Sequence, residues 1–312
     1  MKAMIIGAGG FVGSYLTQAI HDNLYCDIVA TKMSQENLSL PGARVIDLNI
    51  LEKDQIAKVL NEERPDYIFH LAAQSSVALS WKDPGMTVAI NIKGALNLLD
   101  TIRELDYQPR VLIVGSGEEF GHIKDGTVPI NEDAPLDPGN VYAVTKVTQN
   151  MMATIYAHAY GLKLIMTRSF NHVGPKQSPQ FVVSDFCSQV VKIEKGLQEP
   201  IMNVGNLTAK RDFTDVRDVV RAYTLLMQYG KTGDTYNVGL GHAIAIQDIL
   251  GQILEQTDAK IEVRVDPSKL RPVDVPIIEP DTSKIFRDTG WRPEITLTQT
   301  IKDTLDYWRE SL

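Results

Sequence analysis

Short apolar runs alternate along the first half of the chain with longer stretches in which apolar residues recur every three or four positions. The runs lie at 3–6, 27–31, 43–47, 67–71, 110–115 and 163–168, and each predicts a strand. Between them, 54–62, 88–105 and 142–160 carry helical periodicity. Such alternation predicts an α/β fold, a doubly wound parallel sheet covered on both faces by right-handed crossovers. Beyond Arg168 the rhythm breaks into shorter elements rich in Pro and Gly, although a helix over 216–227 and a strand over 235–238 still fit the main layer. The chain is therefore expected to divide into 1–168 with about 212–242, and a smaller mixed α/β lobe, 169–211 with about 243–312. No repeat, coiled coil or low-complexity tract is visible.

Two motifs give this layout chemistry. Gly7-Ala8-Gly9-Gly10-Phe11-Val12-Gly13 follows the strand Ala3–Ile6 and opens a helix read as Gly13–Ile20. A glycine turn leading into a helix N-terminus can bind a pyrophosphate. Gly7 permits the tight turn, Gly10 lets the backbone approach phosphate, and Gly13 lets the helix pack closely on the sheet. The fold expectation thus sharpens to a Rossmann-type dinucleotide-binding domain. An acid that holds the ribose 2′-hydroxyl usually follows the glycines by about twenty residues. Here the second strand ends Val29-Ala30-Thr31-Lys32-Met33, with no acid before Glu36. Lys32 is either a ligand for a 2′-phosphate, which favours NADPH with NADH tolerated, or a solvated surface lysine. Asp47, ending the third strand, is a candidate for the adenine amino group.

The second motif, Tyr142-Ala143-Val144-Thr145-Lys146, places a phenol and an ammonium one helical turn apart on the same face. A protonated Lys146 beside Tyr142 would favour the phenolate, so the phenol could exchange a proton near neutral pH. Together the two motifs point to nicotinamide redox chemistry.

Composition narrows the class. The 312 residues are 44% hydrophobic and 22% charged, as in an ordinary soluble globular protein. A net charge of −8 argues against nucleic acid or an anionic membrane as partner. With no signal-peptide pattern and no apolar run long enough to span a bilayer, a cytoplasmic protein is expected. Cys26 and Cys187 match no zinc or redox spacing and are expected to be buried thiols in a reducing compartment. The six histidines include no i, i+4 pair, so no metal is expected.

With these motifs in view, the chain resembles the extended short-chain dehydrogenase/reductases of the NAD-dependent epimerase/dehydratase family, in the nucleotide-sugar branch. The resemblance runs from Met1 to about Trp308. It is carried by His70-Leu71-Ala72-Ala73-Gln74, Ser116-Gly117-Glu118-Glu119-Phe120-Gly121, Tyr142 with Lys146, and Arg168-Ser169-Phe170-Asn171-His172-Val173-Gly174-Pro175. Further on come Gly205-Asn206, Arg211-Asp212-Phe213 with Asp218, and Arg271-Pro272-Val273-Asp274. The blocks at Asn171–Pro175 and Gly205–Phe213 look like those of the GDP-mannose enzymes. The resemblance implies cofactor contacts at Gly7, Gly10, Phe11, Val12, Gly13, Lys32, Asp47, Leu48, Leu71, Ala72, Ala73, Tyr142, Lys146 and His172, with NADP(H) or NAD(H) bound. It implies a catalytic set of Ser116, Glu118, Tyr142 and Lys146. It also implies a GDP-sugar substrate held by Ser116, Asn171, Val182, Arg211, Arg271 and Asp274. The two arginines suit a pyrophosphate, because a planar guanidinium can bind phosphate oxygens bidentately. The family's dehydratases carry a basic residue soon after Val182, where this chain has Ser184-Asp185.

The branch's sugar 4,6-dehydratases oxidise C4 and eliminate water across C5 and C6, which needs both a base and an acid. They follow the fifth strand with Thr, an acidic or hydroxyl residue, then Glu. Ser116-Gly117-Glu118 leaves the middle position without a functional side chain and resembles the reductases. Glu118 is either an active-site carboxylate or a hydrogen-bonding partner of the sugar. The activity implied is NADPH reduction of the C4 ketone of GDP-4-keto-6-deoxymannose to GDP-D-rhamnose. Tyr142 would donate the proton, Ser116 would hydrogen-bond the same oxygen, and Lys146 would hold the nicotinamide ribose. The rivals are a GDP-mannose 4,6-dehydratase or bifunctional enzyme, a C4 epimerase, and a non-catalytic dinucleotide sensor. The family's usual homodimer pairs the helices at 88–105 and 142–160. Val147, Met151, Ile155 and His158 form a stripe on the second, which is either core or interface.

Overall fold

The computed structural model of the chain describes residues 1–123, 128–270 and 275–312. The first half runs β1 (Lys2–Ile6), α1 (Phe11–Leu24), β2 (Asp27–Lys32), β3 (Ala43–Asp47), α2 (Lys53–Glu63), β4 (Tyr67–His70), α3 (Val77–Lys82), α4 (Pro84–Val88), α5 (Gly94–Glu104), β5 (Arg110–Ser116), α6 (Val141–Tyr160) and β6 (Leu164–Ser169). The second half adds β7 (Asn171–Val173), α7 (Val182–Glu194), β8 (Ile201–Val204), β9 (Lys210–Asp215), α8 (Val216–Tyr229), β10 (Thr235–Val238), β11 (Ala243–Ala245), α9 (Ile246–Leu254), β12 (Glu262–Val265), β13 (Ile277–Ile278), α10 (Ser283–Thr289) and α11 (Leu297–Ser311).

Seven parallel strands form the main sheet in the order β10-β6-β5-β4-β1-β2-β3. The side-chain period of two explains why β1 is apolar on both faces. Ala3 and Ile5 join Leu16, Ile20, Val219 and Tyr223 on one side, whereas Met4 and Ile6 join Leu60, Leu98, Leu99 and Ile102 on the other. This is the doubly wound arrangement the alternating pattern predicts, with 235–238 as an edge strand of the main sheet. Cys26 and Cys187 are both buried and unbridged. Among the described residues no helix is long and apolar enough to cross a membrane.

Two helix boundaries differ from the sequence expectation. Helix α1 begins at Phe11 rather than Gly13, since Gly10 already serves as its N-cap. The continuous helix expected over 88–105 is instead α4, a π-helical turn at Ala89–Lys93, and α5. A π turn rephases the helix, and here Asn91 faces inward. Its Oδ1 accepts from Gln74 N (2.8 Å), and its Nδ2 donates to Gln74 O (3.0 Å) and Thr145 Oγ1 (2.9 Å). The amide thereby ties this helix to α6 beside the reaction site.

In the second half, β9 pairs with β11, β13 and β7, and β8 pairs with β12. Phe186, Val190, Met202, Val204, Ile249, Ile301 and Leu305 fill a separate apolar core. Strand β9 runs directly into α8, capped by Asp215, whose Oδ1 accepts from Arg217 N at 2.8 Å. Arg211 and Asp212 therefore reach the seam between this core and the main sheet from a fixed strand.

Candidate active site

The cofactor end is built at the carboxyl ends of β1 and β4, where the strand order reverses. Gly7 sits at φ 90°, its N–H donates to Thr31 Oγ1 (3.1 Å), and a β-carbon there would lie 2.6 Å from Ala72 N. Leu71 and Ala72 both donate to Ile6 O at 2.9 Å, which brings 71–73 against the glycine turn. A side chain at Gly13 would collide with Ala8 O. Gly10 caps α1 without a side-chain hydrogen bond, and the nearest neighbour to an added β-carbon is Gly7 O at 3.7 Å. The N-terminus of this 14-residue helix thus carries no side-chain cap and leaves space above Gly10, with the Glu36 carboxylate beside Gly9. That arrangement fits a dinucleotide pyrophosphate. Phe11 stacks on His172, with ring centroids 6.1 Å apart and an interplanar angle of 5°. Tyr15 OH donates to Pro175 O at 2.8 Å, so the helix start and the 172–175 segment form one wall.

Lys32 is mostly buried along its side chain and ion-paired at its tip. Its Nζ donates to Asp47 Oδ1 (2.6 Å) and Met33 O (3.3 Å), which joins the two candidates for the adenosine end in one ion pair. The register of β2 against β3 places Lys32 opposite Asp47. The buried Leu48 follows, donating to Lys32 O at 2.8 Å.

The reaction end lies where β5 meets α6. Ser116 caps a 3₁₀ turn, Gly117–Phe120; its Oγ accepts from Glu118 N (3.2 Å), and its N–H donates to Glu119 Oε1 (2.8 Å). Tyr142 and Lys146 are buried on the first turns of α6, whose cap, Asn140, accepts from Ala143 N and donates to Glu118 Oε2 (3.1 Å). Burial drives the Tyr142 phenol well above its ordinary range, and its hydrogen bond with the Ser116 side chain pulls the other way. Lys146 Nζ donates to Val114 O (2.8 Å) and Gln149 Oε1 (3.1 Å). Desolvation lowers the Lys146 pKa to about 8, opposed by Glu119. Burial of the phenol opposes the phenolate that a neighbouring ammonium favours, with the Ser116 side chain as the phenol's partner. His70 behind Lys146 is pushed down to about 3 by burial and the ammonium, which keeps its imidazole neutral.

A cleft at the seam is lined by Ser116, Gly117, Glu118, Ser169, Phe170, Asn171, Arg211, Asp212 and Ile278. The structure thus brings Ser116, Glu118, Asn171 and Arg211 to one place. Arg211 Nη1 donates to Lys210 O (2.9 Å) and Val275 O (2.6 Å). Asp212 accepts from the N–H groups of Leu240 (2.8 Å), Gly241 (2.7 Å) and His242 (3.1 Å), and burial raises its pKa to about 6. His172 Nδ1 lies 3.1 Å from Phe170 O, and burial depresses its pKa. Val182 opens α7, and Asp185 in the same turn pairs with Lys269 at 2.7 Å. Arg271 and Asp274 lie outside the described residues. At Gly117 an added β-carbon would stand 2.8–2.9 Å from the Phe170 ring. The middle position of the Ser116–Glu118 block is thus closed to a larger residue by an aromatic wall. Sequence reasoning missed Glu119, Asn91 and the anchoring role of Asp212; a polar residue inside an apolar helix was the available signal for Asn91.

A profile of the GDP-mannose 4,6-dehydratase family matches residues 4–304. The chain belongs to that family. It is similar to the GDP-6-deoxy-D-mannose reductase of Pseudomonas aeruginosa, 31% identical over 98% of this chain and 97% of the relative. Among solved structures, RMD from Pseudomonas aeruginosa complexed with NADPH superposes with a TM-score of 0.85 at 28% identity, covering 100% of this chain and 99% of that one. The UDP-glucose 4-epimerase of Thermotoga maritima with UDP-glucose gives a TM-score of 0.91 at 26% identity, covering 100% and 99%. These matches carry the Rossmann-like fold of the epimerase/dehydratase enzymes across the entire chain.

Proposed function

We propose that this chain is an NAD(P)H-dependent nucleotide-sugar reductase that converts the C4 ketone of GDP-4-keto-6-deoxy-D-mannose to the alcohol of GDP-D-rhamnose. The observation that carries the reading is the Phe170 ring packed against Gly117, which crowds the position where sugar 4,6-dehydratases place a further acidic or hydroxyl side chain. The reductase relative at 31% identity and the NADPH-bound similar structure support it. A bound nicotinamide supplies the hydride, with NADP(H) as cofactor and NAD(H) accommodated.

The chain's own residues do the rest. Tyr142, kept protonated by burial, gives its proton to the oxygen that becomes the alcohol. Ser116 hydrogen-bonds that oxygen as charge develops on it. Lys146 fixes the nicotinamide ribose and carries the positive charge behind the phenol. Gly7, Gly10, Phe11, Val12, Gly13, Leu48, Leu71, Ala72, Ala73 and His172 line the dinucleotide, and Asn171, Val182 and Arg211 hold the GDP-sugar, together with Arg271 and Asp274. The division into a dinucleotide-binding layer and a sugar-nucleotide lobe at about 168, 212 and 242 belongs to the same proposal.

We also infer a homodimer through α4–α5 and α6. Of the stripe Val147, Met151, Ile155 and His158, Met151 and Ile155 are 58% and 59% exposed, His158 is exposed and Val147 is half-buried. Val144 beside it and Val88 and Met86 on the neighbouring helix are exposed as well, so most of this stripe is surface rather than core. One observation favours a dehydratase, the presence of Glu118 in the cleft. Product analysis separates the two: a reductase leaves GDP-mannose untouched and consumes NADPH with the 4-keto sugar. Conversion of GDP-mannose to the 4-keto sugar without net cofactor use would replace this reading by the dehydratase.

A further inference from the structure

We propose that Glu119 is a positioning residue for the reaction, joining Ser116 to the helix that carries Tyr142 and Lys146 and supplying the countercharge to Lys146. For the identity of the reaction, this inference rests on the reductase reading. Glu119 is fully buried, although Glu118 beside it reaches the cleft. Its Oε1 accepts from Ser116 N (2.8 Å); its Oε2 accepts from Arg168 Nε (3.0 Å) and Asn150 Nδ2 (3.2 Å). Asn150 lies four residues beyond Lys146, on the same face of α6. One carboxylate therefore spans the end of β5 and the catalytic face of α6. A side chain at Gly115 would collide with Thr167 O and with this acid, which packs directly against the strand.

Stability alone gives a weak reason for such an arrangement. A buried ion pair is often replaceable by well-packed apolar residues at no loss. Arg168 is itself closely held, donating from Nη1 to Glu132 O (2.7 Å) and lying 4.8 Å over the Phe120 ring. Position and charge are what the acid adds. The ionisable groups around Lys146 come from every side: Glu119 from the turn after β5, His70 from β4 and Tyr142 on the same helix, with Glu118 and Tyr223 facing the phenol. Burial raises the Glu119 pKa, and the Arg168 guanidinium, the Ser116 N–H and Lys146 pull it back towards the carboxylate; with His70 neutral, Glu119 is the group that opposes desolvation of the ammonium.

The test is Glu119→Gln, which keeps the shape and an acceptor for Ser116 but removes the charge. Since the substitution leaves Arg168 buried without its carboxylate, the double variant Glu119→Gln with Arg168→Met is measured beside it. The expected result in both is a fall in kcat of about tenfold with KM for the sugar nucleotide changed less than about twofold. The basic limb of the kcat–pH profile should move down by about one pH unit. The double variant should regain thermal stability without regaining the limb. Wild-type kcat and limb in both variants, or recovery of both in the double variant, would reduce the pair to a structural one. Nitrogen-15 NMR titration of the Lys146 amine, in wild type and Glu119→Gln, needs no substrate. A lower Lys146 pKa in the variant supports the countercharge and an unchanged one overturns it, even if wild type fails to reduce the keto sugar and the reductase reading falls.

Discussion

Lys146→Met removes the one buried ammonium of the reaction site and separates its catalytic effect from its effect on stability. Desolvation lowers the Lys146 pKa from 10.5 to about 8. A shift of that size corresponds to about 3 kcal/mol by which burial penalises the charged form. Methionine escapes the penalty but forfeits two hydrogen bonds, to Val114 O and Gln149 Oε1. Each is worth about 1–3 kcal/mol for a charged donor, so near pH 7 the variant should be about as stable as wild type. The pH dependence is sharper. Because the folded pKa lies below the unfolded one, the folded wild type loses this proton first. Its stability then rises with pH between about 8 and 10.5. Between pH 7 and 9.5 the gain is about 2 kcal/mol, and Lys146→Met has no such gain. Urea unfolding of both proteins at the two pH values reads the difference directly. Turnover of the variant should fall at least about a hundredfold, since both the proposed ribose contact and the charge are lost. Parallel stability–pH curves for the two proteins would refute the buried, titrating lysine.

Gly7→Ala places a β-carbon at φ 90° and 2.6 Å from Ala72 N; it should cost about 1–3 kcal/mol of stability and weaken NADPH binding in a fluorescence titration, and wild-type values for both would remove the tight-turn argument. Lys32→Ala opens the 2.6 Å pair with Asp47 and should weaken NADPH more than NADH, whereas equal losses would exclude a 2′-phosphate role for Lys32. Met151→Asp with Ile155→Asp places two charges on the exposed stripe of α6 and should yield a folded monomer by light scattering; an unchanged dimer would place the interface elsewhere.

The main sheet was legible because its strands, apart from the edge strand β3, are buried on both faces and its helices on one, so periodicity and burial coincide. Strand limits at 3–6, 27–31 and 43–47 agree with β1, β2 and β3 to within a residue. The small lobe was less legible: β7, β11 and β13 are two or three residues long, too short to show a period. The break at Ala89–Lys93 was hidden for another reason. Asn91 is explained only by its partners Gln74 and Thr145, 17 and 54 residues away. In the site, Ser116, Tyr142 and Lys146 were read from local motifs, whereas Glu119 was passed over. Next to Glu118 it reads as part of a solvated turn, and the partners that hold it inside include Asn150 and Arg168, 31 and 49 residues on. Lys32 shows another limit: its charge suggested a phosphate ligand, and the Asp47 partner that the register of β2 on β3 gives it was not visible in the sequence.

The most direct test of the central claim uses NADPH deuterated at the transferable position with freshly made GDP-4-keto-6-deoxy-D-mannose, followed by NMR of the sugar product. The account predicts one NADPH oxidised per sugar, deuterium at C4 and GDP-D-rhamnose as product. Absence of oxidation, or a product without deuterium at C4, would contradict it.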